Sequence, residues 1–415
     1  MRLIVVSCLA VLVLVSASGR AGAADVVKGQ LIVGFAAGTS HAAAKSVVEQ
    51  AGARIERRLD RIGALVIRPR RGNASSGLRE QLRHRRGVRY AESDYILGKS
   101  DAVPDDPFYT RQYALQSPGD GISAPQAWGV RTACSLVAAL DTGTQYDHPD
   151  LKANIWHNKN EVKGNGKDDD HNGYVDDYYG FNAEKGSGSG ADGDGHGTHV
   201  AGIIGAQANN ATGVSGACWT AKVMPVRFMN DKGRGSTSDA IAGLDYAVHM
   251  NAKVVNCSFG SSSKSSALQD AVKSAKAAGV LLVVAAGNDG ENIESKPQYP
   301  AAYTDGNILT VAASTATGTL ASFSNFGAKS VDLAAPGDQI YSTYPTSGYK
   351  YLSGTSMAAP LVAAAAAMLR AQDSKRTYSE IRSILKNTVD PDPALAGKTV
   401  TGGRLDLARA LATAG

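Results

Sequence analysis

Gly354-Thr355-Ser356-Met357-Ala358-Ala359-Pro360 runs straight into an Ala-rich apolar stretch, Leu361 to Leu369. A loop therefore delivers Ser356 to the first turn of a helix too apolar to be exposed. Pro360 suits a position near a helix start, where backbone N–H groups lack partners anyway. Gly354 lets another backbone approach, and Ala358 and Ala359 keep the turn narrow. A hydroxyl held there lies beside free N–H groups and the positive end of a helix dipole, a setting that favours an oxyanion. The plain alternative is a serine that only caps a core helix.

A serine hydroxyl is a weak nucleophile until a base takes its proton and a third group orients the base. Two upstream stretches supply such groups. Val137-Ala138-Ala139-Leu140-Asp141-Thr142-Gly143 is a short apolar strand ending in a carboxylate and a small-residue turn, so Asp141 sits at the carboxyl end of a buried strand, where ligand sites collect in open parallel sheets. Gly195-His196-Gly197-Thr198-His199-Val200-Ala201-Gly202 opens a small-residue helix. The chain order is Asp, His, Ser, the order for which subtilisin is the reference case.

With Ala285-Ala286-Gly287-Asn288 added, these stretches resemble the subtilisin family of serine proteases, thermitase-like members above all, from about Pro104 to the C-terminus. The resemblance implies Asp141 as orienting carboxylate, His196 as base, Ser356 as nucleophile and Asn288 as oxyanion donor. It implies an extended peptide bound as an added strand against Ser258-Phe259-Gly260 and Ala285-Ala286-Gly287, with Gly233-Arg234-Gly235 as the other wall. Glycines Gly233, Gly235, Gly260 and Gly287 would admit the substrate backbone, and Arg234 would favour acidic residues upstream of the cut. A structural calcium is implied at Asp106, Asp150 and Asn210. Two positions depart from the family: Leu361 stands where histidine is usual, and Val200 replaces the cysteine of thermitase-like members.

A second calcium loop is read from its own residues. Asp168-Asp169-Asp170-His171-Asn172-Gly173 matches Asp-x-Asp-x-Asn-Gly, oxygen ligands at alternate positions with a glycine for the turn. Tyr179 replaces the bidentate glutamate of an EF-hand, so Asp176 or Asp177 is expected to complete a shell begun by Asp168, Asp170 and Asn172.

Rival readings are a zinc hydrolase using His196 and His199, which leaves Ser356 unexplained, and a non-catalytic module on a protease-like fold, against which the complete Asp-His-Ser set argues.

The 415 residues are 43% hydrophobic and 20% charged, a globular composition. Residues 1–24 read as a signal peptide: Arg2, an apolar core from Leu3 to Val15, and Ala21-Gly22-Ala23 for cleavage. The run is too short for a membrane span. A secreted, extracellular protein is expected, monomeric and without stable membrane association. Residues 25–100 show a β-α-β-β-α-β pattern, and by resemblance form a propeptide that assists folding and inhibits until cleaved. They carry 15 Lys and Arg against 7 Asp and Glu; residues 101–415 carry 26 against 31. A basic pro-segment and an acidic catalytic part attract each other. Self-cleavage is expected between about Leu97 and Asp105, and the basic run Arg79 to Arg86 is expected to be a solvated or enzyme-facing helix, not a nucleic-acid site. From residue 101 strands alternate with helices, which predicts an α/β domain with a mostly parallel sheet covered on both faces. Export leaves Cys134, Cys218 and Cys257, an odd number, so at least one is free or pairs between chains.

Overall fold

The computed structural model describes residues 26–70, 75–95, 102–116 and 121–414. The expected signal peptide lies outside them, as does most of the expected cleavage region. The chain divides into two compact units, Met1–Gly98 and Lys99–Gly415.

The first unit runs β1 (Val26–Phe35), α1 (His41–Gln50), β2 (Ala53–Leu59), β3 (Ala64–Pro69), α2 (Ser75–Arg83), β4 (Val88–Tyr95). Its antiparallel sheet has the order β2-β3-β1-β4. Alternation decides which side chains turn inward: Leu31, Val33 and Phe35 of β1 pack with Val48 of α1 and Leu78 and Leu82 of α2. The β-α-β-β-α-β expectation holds.

The second unit runs α3 (Ala124–Trp128), β5 (Ala133–Asp141), β6 (Phe181–Asn182), α4 (His196–Gly205), β7 (Thr220–Arg227), α5 (Thr237–His249), β8 (Val254–Cys257), α6 (Ser266–Ala277), β9 (Leu281–Ala285), β10 (Ile308–Ser314), β11 (Leu333–Pro336), β12 (Ile340–Tyr344), β13 (Gly348–Leu352), α7 (Thr355–Gln372), α8 (Tyr378–Asn387), β14 (Asp390–Pro391), β15 (Gly403–Arg404) and α9 (Leu407–Thr413). Nine strands form one sheet, β14-β15-β11-β10-β9-β8-β5-β7-β6, parallel throughout except for the short β14–β15 pair. Strand β9 is apolar at every position and its neighbours are mostly so, because both faces of the sheet are covered. Along β5, Val137 and Ala139 face a core shared with α4 and α7, whereas Ala138 and Leu140 face one shared with α5 and α6. Strand order reverses around β5, flanked by β7 on one side and β8 on the other, and such a switch point opens a crevice at the carboxyl ends of the strands.

Helix α7 is buried from Thr355 to Leu369, and its run of alanines lets α4 and the sheet come close. Ser356 falls in its first turn, as the sequence suggests, and Pro360 is its sixth residue. Proline has no N–H for the Ser356 carbonyl four residues back. That carbonyl instead accepts from Ser258 Oγ at 3.0 Å, so the serine's own turn is tied to the end of β8.

The antiparallel hairpin β12–β13 has no counterpart in the sequence reading. It buttresses α4: Ser342 Oγ donates to the His199 carbonyl at 2.9 Å and Thr343 Oγ1 to the Thr198 carbonyl at 2.8 Å.

Cys134 and Cys218 form a disulfide within the chain, joining the start of β5 to the segment before β7. Cys257 is the free, buried one, and burial pushes its thiol up, which makes it inert.

Candidate active site

Asp141 ends β5 and is fully buried. Its Oδ1 accepts from the Thr142 N–H at 2.8 Å and from His196 Nδ1 at 2.7 Å. The bond to Nδ1 fixes the imidazole ring and leaves Nε2 to exchange protons. His196 is the first residue of α4, and its side chain is 27% exposed. Burial opposes its protonation, but the Asp141 charge and hydrogen bond, with Asp194 and Asp192 behind them, outweigh that and hold its pKa above the ordinary value.

Local contacts align the two strand and helix ends. Thr142 Oγ1 accepts from the Gly197 N–H and donates to Asp192 Oδ1, both at 2.9 Å. Asp192 also accepts from the N–H groups of Asp194, Gly195 and Thr198, capping α4 while gripping the turn that carries Asp141. Gly197 is required because a Cβ there would collide with the Gly143 carbonyl.

Ser356 is the second residue of α7, and its hydroxyl donates to the Ser258 carbonyl at 3.3 Å. The hydroxyl must leave the Ser258 carbonyl before its proton can pass to His196. Asn288 lies beside it. Asn288 Oδ1 accepts from Thr355 N at 2.8 Å and Thr355 Oγ1 at 2.9 Å, which assigns the other amide atom as the N–H₂ group. A Cβ placed on Gly354 would lie 3.4 Å from Asn288 Nδ2 and 3.6 Å from Ser356 N. Two N–H donors thus flank one small space beside the serine.

Gly233, Gly235 and Gly260 line a cleft with Phe228, Phe259 and Tyr299. Ala285 is buried at the end of β9, and Gly287 lies in the Asn288 turn; neither lines that cleft. Ser258 contributes its hydroxyl to the Ser356 carbonyl and is itself held by Asn256 Nδ2 at 2.9 Å.

His199 is fully buried, and its Nε2 donates to the Ile340 and Lys350 carbonyls at 3.1 and 3.0 Å. Burial brings its pKa down to about 4, so it stays neutral. A ring held this way between α4 and the β12–β13 hairpin does not join His196 around a zinc ion.

The first expected calcium set comes together. Asp106 accepts from the Asn209 and Asn210 N–H groups, and Asn210 Nδ2 donates to Asp150 Oδ1 at 2.8 Å. Both carboxylates are buried, and burial, reinforced by Asp106, pushes Asp150 up to about 6. Two like charges out of water form a donor set that a hard divalent cation fits.

The second set needs correction. The cluster that forms is Glu161, Asp168 and Asp170, with ligand oxygens within 4.8 Å of one another. Glu161 Oε2 is buried without a partner, and burial pushes this carboxyl up to about 7. Asp176 turns away because its oxygens accept from Asn165 and Gly166 N–H groups. Asn172 Oδ1 accepts from the Tyr174 N–H and its Nδ2 donates to Asp177. Glu161 lay seven residues outside the Asp-x-Asp-x-Asn-Gly pattern, which carries no signal for it. Asp192 was likewise hidden, one of several Asp-Gly pairs before His196.

A sequence profile described as "Subtilase family" matches residues 134–407, and one described as the fervidolysin N-terminal prodomain matches residues 15–94. Thermitase of Thermoactinomyces vulgaris is 39% identical over 290 residues, 69% of this chain and 92% of thermitase. A thermophilic serine proteinase of Bacillus sp. (strain AK1) is 34% identical over 367 residues, 88% of this chain and 82% of its own. Among solved structures, a protease from Pseudoalteromonas arctica superposes with TM-score 0.64 at 33% identity, covering 76% of this chain and all of the other. A cold-adapted subtilisin-like serine proteinase gives TM-score 0.56 at 28% identity, with 74% and 98% covered.

Proposed function

We propose, from the premise that this chain belongs to the subtilase family and is a serine endopeptidase, that it cuts polypeptides with Ser356, His196, Asp141 and Asn288, and is exported as a zymogen that processes itself. The observation that carries the assignment is the 2.7 Å bond from His196 Nδ1 to buried Asp141 at the switch point of the sheet, with Ser356 opening the adjacent helix.

In the reaction Ser356 Oγ turns from the Ser258 carbonyl toward His196 Nε2 and gives up its proton there while bonding to the substrate carbonyl carbon. The carbonyl oxygen takes the negative charge between Asn288 Nδ2 and the Ser356 N–H. The proton on Nε2 then passes to the leaving amine as the peptide C–N bond breaks. Water repeats the sequence against the acyl-enzyme and releases the acid. Asp141 holds the ring through Nδ1 and favours the imidazolium. The substrate backbone lies against Gly233, Gly235 and Gly260, with Ser258 and Gly287 at the reacting end.

Residues 1–24 direct export, residues 25–100 act as inhibitor and folding aid, and residues 101–415 form the enzyme. The prodomain match over residues 15–94 and the opposite net charges support a pro-segment ahead of the enzyme. Among the described residues no helix is long and apolar enough to cross a membrane. Asp106, Asp150 and Asn210 would hold one calcium, and Glu161, Asp168 and Asp170 another. Calcium there supplies charge neutralisation to the fold and takes no part in proton transfer.

Labelling of wild-type protein by a fluorophosphonate at Ser356 tests the nucleophile. Ser356→Ala is expected to lose hydrolysis to background and to accumulate with residues 25–100 attached. Retained hydrolysis in that variant refutes the assignment, and normal maturation without another protease refutes self-processing.

A further inference from the structure

The Asn288 amide must point at a developing charge, yet nothing in its own short turn fixes its backbone. Gly287 has a positive φ of 106°, a conformation that favours glycine, so the turn has no intrinsic rigidity from side-chain sterics. One residue, remote in sequence, clamps that turn on both sides. Asn325 Nδ2 donates to the Ala286 carbonyl at 3.1 Å, and Asn325 N donates to the Gly287 carbonyl at 2.9 Å. Its Oδ1 accepts from Asp289 N at 3.0 Å and from Glu291 N at 2.9 Å. The amide of Asn325 is therefore used at both ends, two residues before Asn288 and one residue after it.

Asn325 is itself well anchored. It is fully buried, and its neighbour Ser324 accepts from Ala313 N at the end of β10 and donates to the Asn325 carbonyl, both at 2.9 Å. The clamp thus refers the Asn288 turn to the central sheet. Thr355, from the Ser356 helix, holds the tip of the Asn288 side chain and accepts from the Gly287 N–H at 3.1 Å. Together they set both the root and the tip of the donor.

We infer that Asn325 is a positioning residue for transition-state stabilisation: it fixes the Asn288 turn so that the amide N–H₂ meets the oxyanion, without touching substrate itself. The inference rests on the proposed role of Asn288. A donor displaced by about 1 Å loses much of its effect, since preorganised donors act only when already aimed.

The test is a double-mutant cycle on the self-processed enzyme with a peptide p-nitroanilide. Asn325→Ala is expected to lower kcat by roughly 10- to 100-fold with KM changed less than about twofold. In an Asn288→Ala background the same change is expected to cost less than about threefold, because the group it positions is gone. A peptide aldehyde, whose adduct with Ser356 places an oxygen at the oxyanion position, should weaken in parallel with kcat, whereas the matching peptide alcohol should not. Equal losses in both backgrounds, or a loss confined to KM, overturn the inference. If Asn325→Ala fails to accumulate folded, Asn325→Asp keeps the shape and the Oδ1 acceptor while losing the donor to Ala286, and the same cycle on it decides. Fluorophosphonate labelling of wild-type Ser356 separates the two readings: labelled enzyme with an additive cycle refutes the clamp alone, whereas unlabelled, active enzyme refutes the role of Ser356.

Discussion

Replacing both Cys134 and Cys218 by alanine removes a bridge that spans 84 residues of sequence and encloses the region from Asp141 through His196. In the chain-entropy account a loop of that length restricts the unfolded ensemble by about 5 kcal/mol. For a domain the size of Lys99–Gly415, with an unfolding entropy that scales with residue count, this corresponds to a drop of about 7 °C in Tm. Cys134 lies in β5 and Cys218 just before β7, whose strands pair with each other along their length, so the folded state should keep its geometry, and kcat at 25 °C in freshly prepared enzyme should change little. The measurement is scanning calorimetry in a Ser356→Ala background, which prevents self-digestion, with calcium saturating and equal in both samples. A Tm shift below about 2 °C would refute the loop-closure reasoning, because the cross-link would then constrain nothing that the native contacts do not already constrain. A matched loss of activity at 25 °C would also count against it, placing the bridge in the active-site geometry.

Three further outcomes follow from the site. Gly354→Ala puts a methyl group beside Asn288 Nδ2 and Ser356 N, where the oxyanion must enter, so kcat should fall by about 10²–10³-fold, comparable to losing one oxyanion donor, a loss for which subtilisin is itself the reference case; steady-state kinetics showing only a KM change would contradict it. The raised His196 pKa means that activity, which needs the neutral ring, is lost as pH falls through a value above 6.5, and that Asp141→Asn should move this limb downward. The stability contribution has the opposite sense: the charged ring stabilises the fold fully below about pH 6.5 and ceases to do so as pH rises through its raised folded pKa, which NMR titration of His196 in Ser356→Ala would locate. Chelation should lower Tm, by about 2.7 kcal/mol of stability relative to calcium at 100 times its Kd, and Asp168→Ala with Asp170→Ala should reproduce part of that loss; an unchanged melt at matched ionic strength would exclude calcium from both clusters.

Residue pattern alone carried the elements nearest the chemistry. Asp141 closes an apolar strand, His196 opens a small-residue helix and Ser356 opens an alanine-rich one, and each of these is a local statement about periodicity and turn-forming residues. The parallel sheet with two covered faces was legible for the same reason, since strands buried on both sides are continuously apolar. Which carboxylates meet was not legible. Glu161 joins Asp168 and Asp170 while Asp176 turns to the amides of Asn165 and Gly166, because loop closure and backbone hydrogen bonding choose among chemically equivalent aspartates. The choice of Cys134 and Cys218 over Cys257 depended on two neighbouring strands bringing their ends together. The clamp of Asn325 on the Asn288 turn and the support of α4 by the β12–β13 hairpin join residues far apart in the chain. Sequence periodicity determines which face of an element is buried; only the packed tertiary structure decides which two distant polar groups are close enough to satisfy each other.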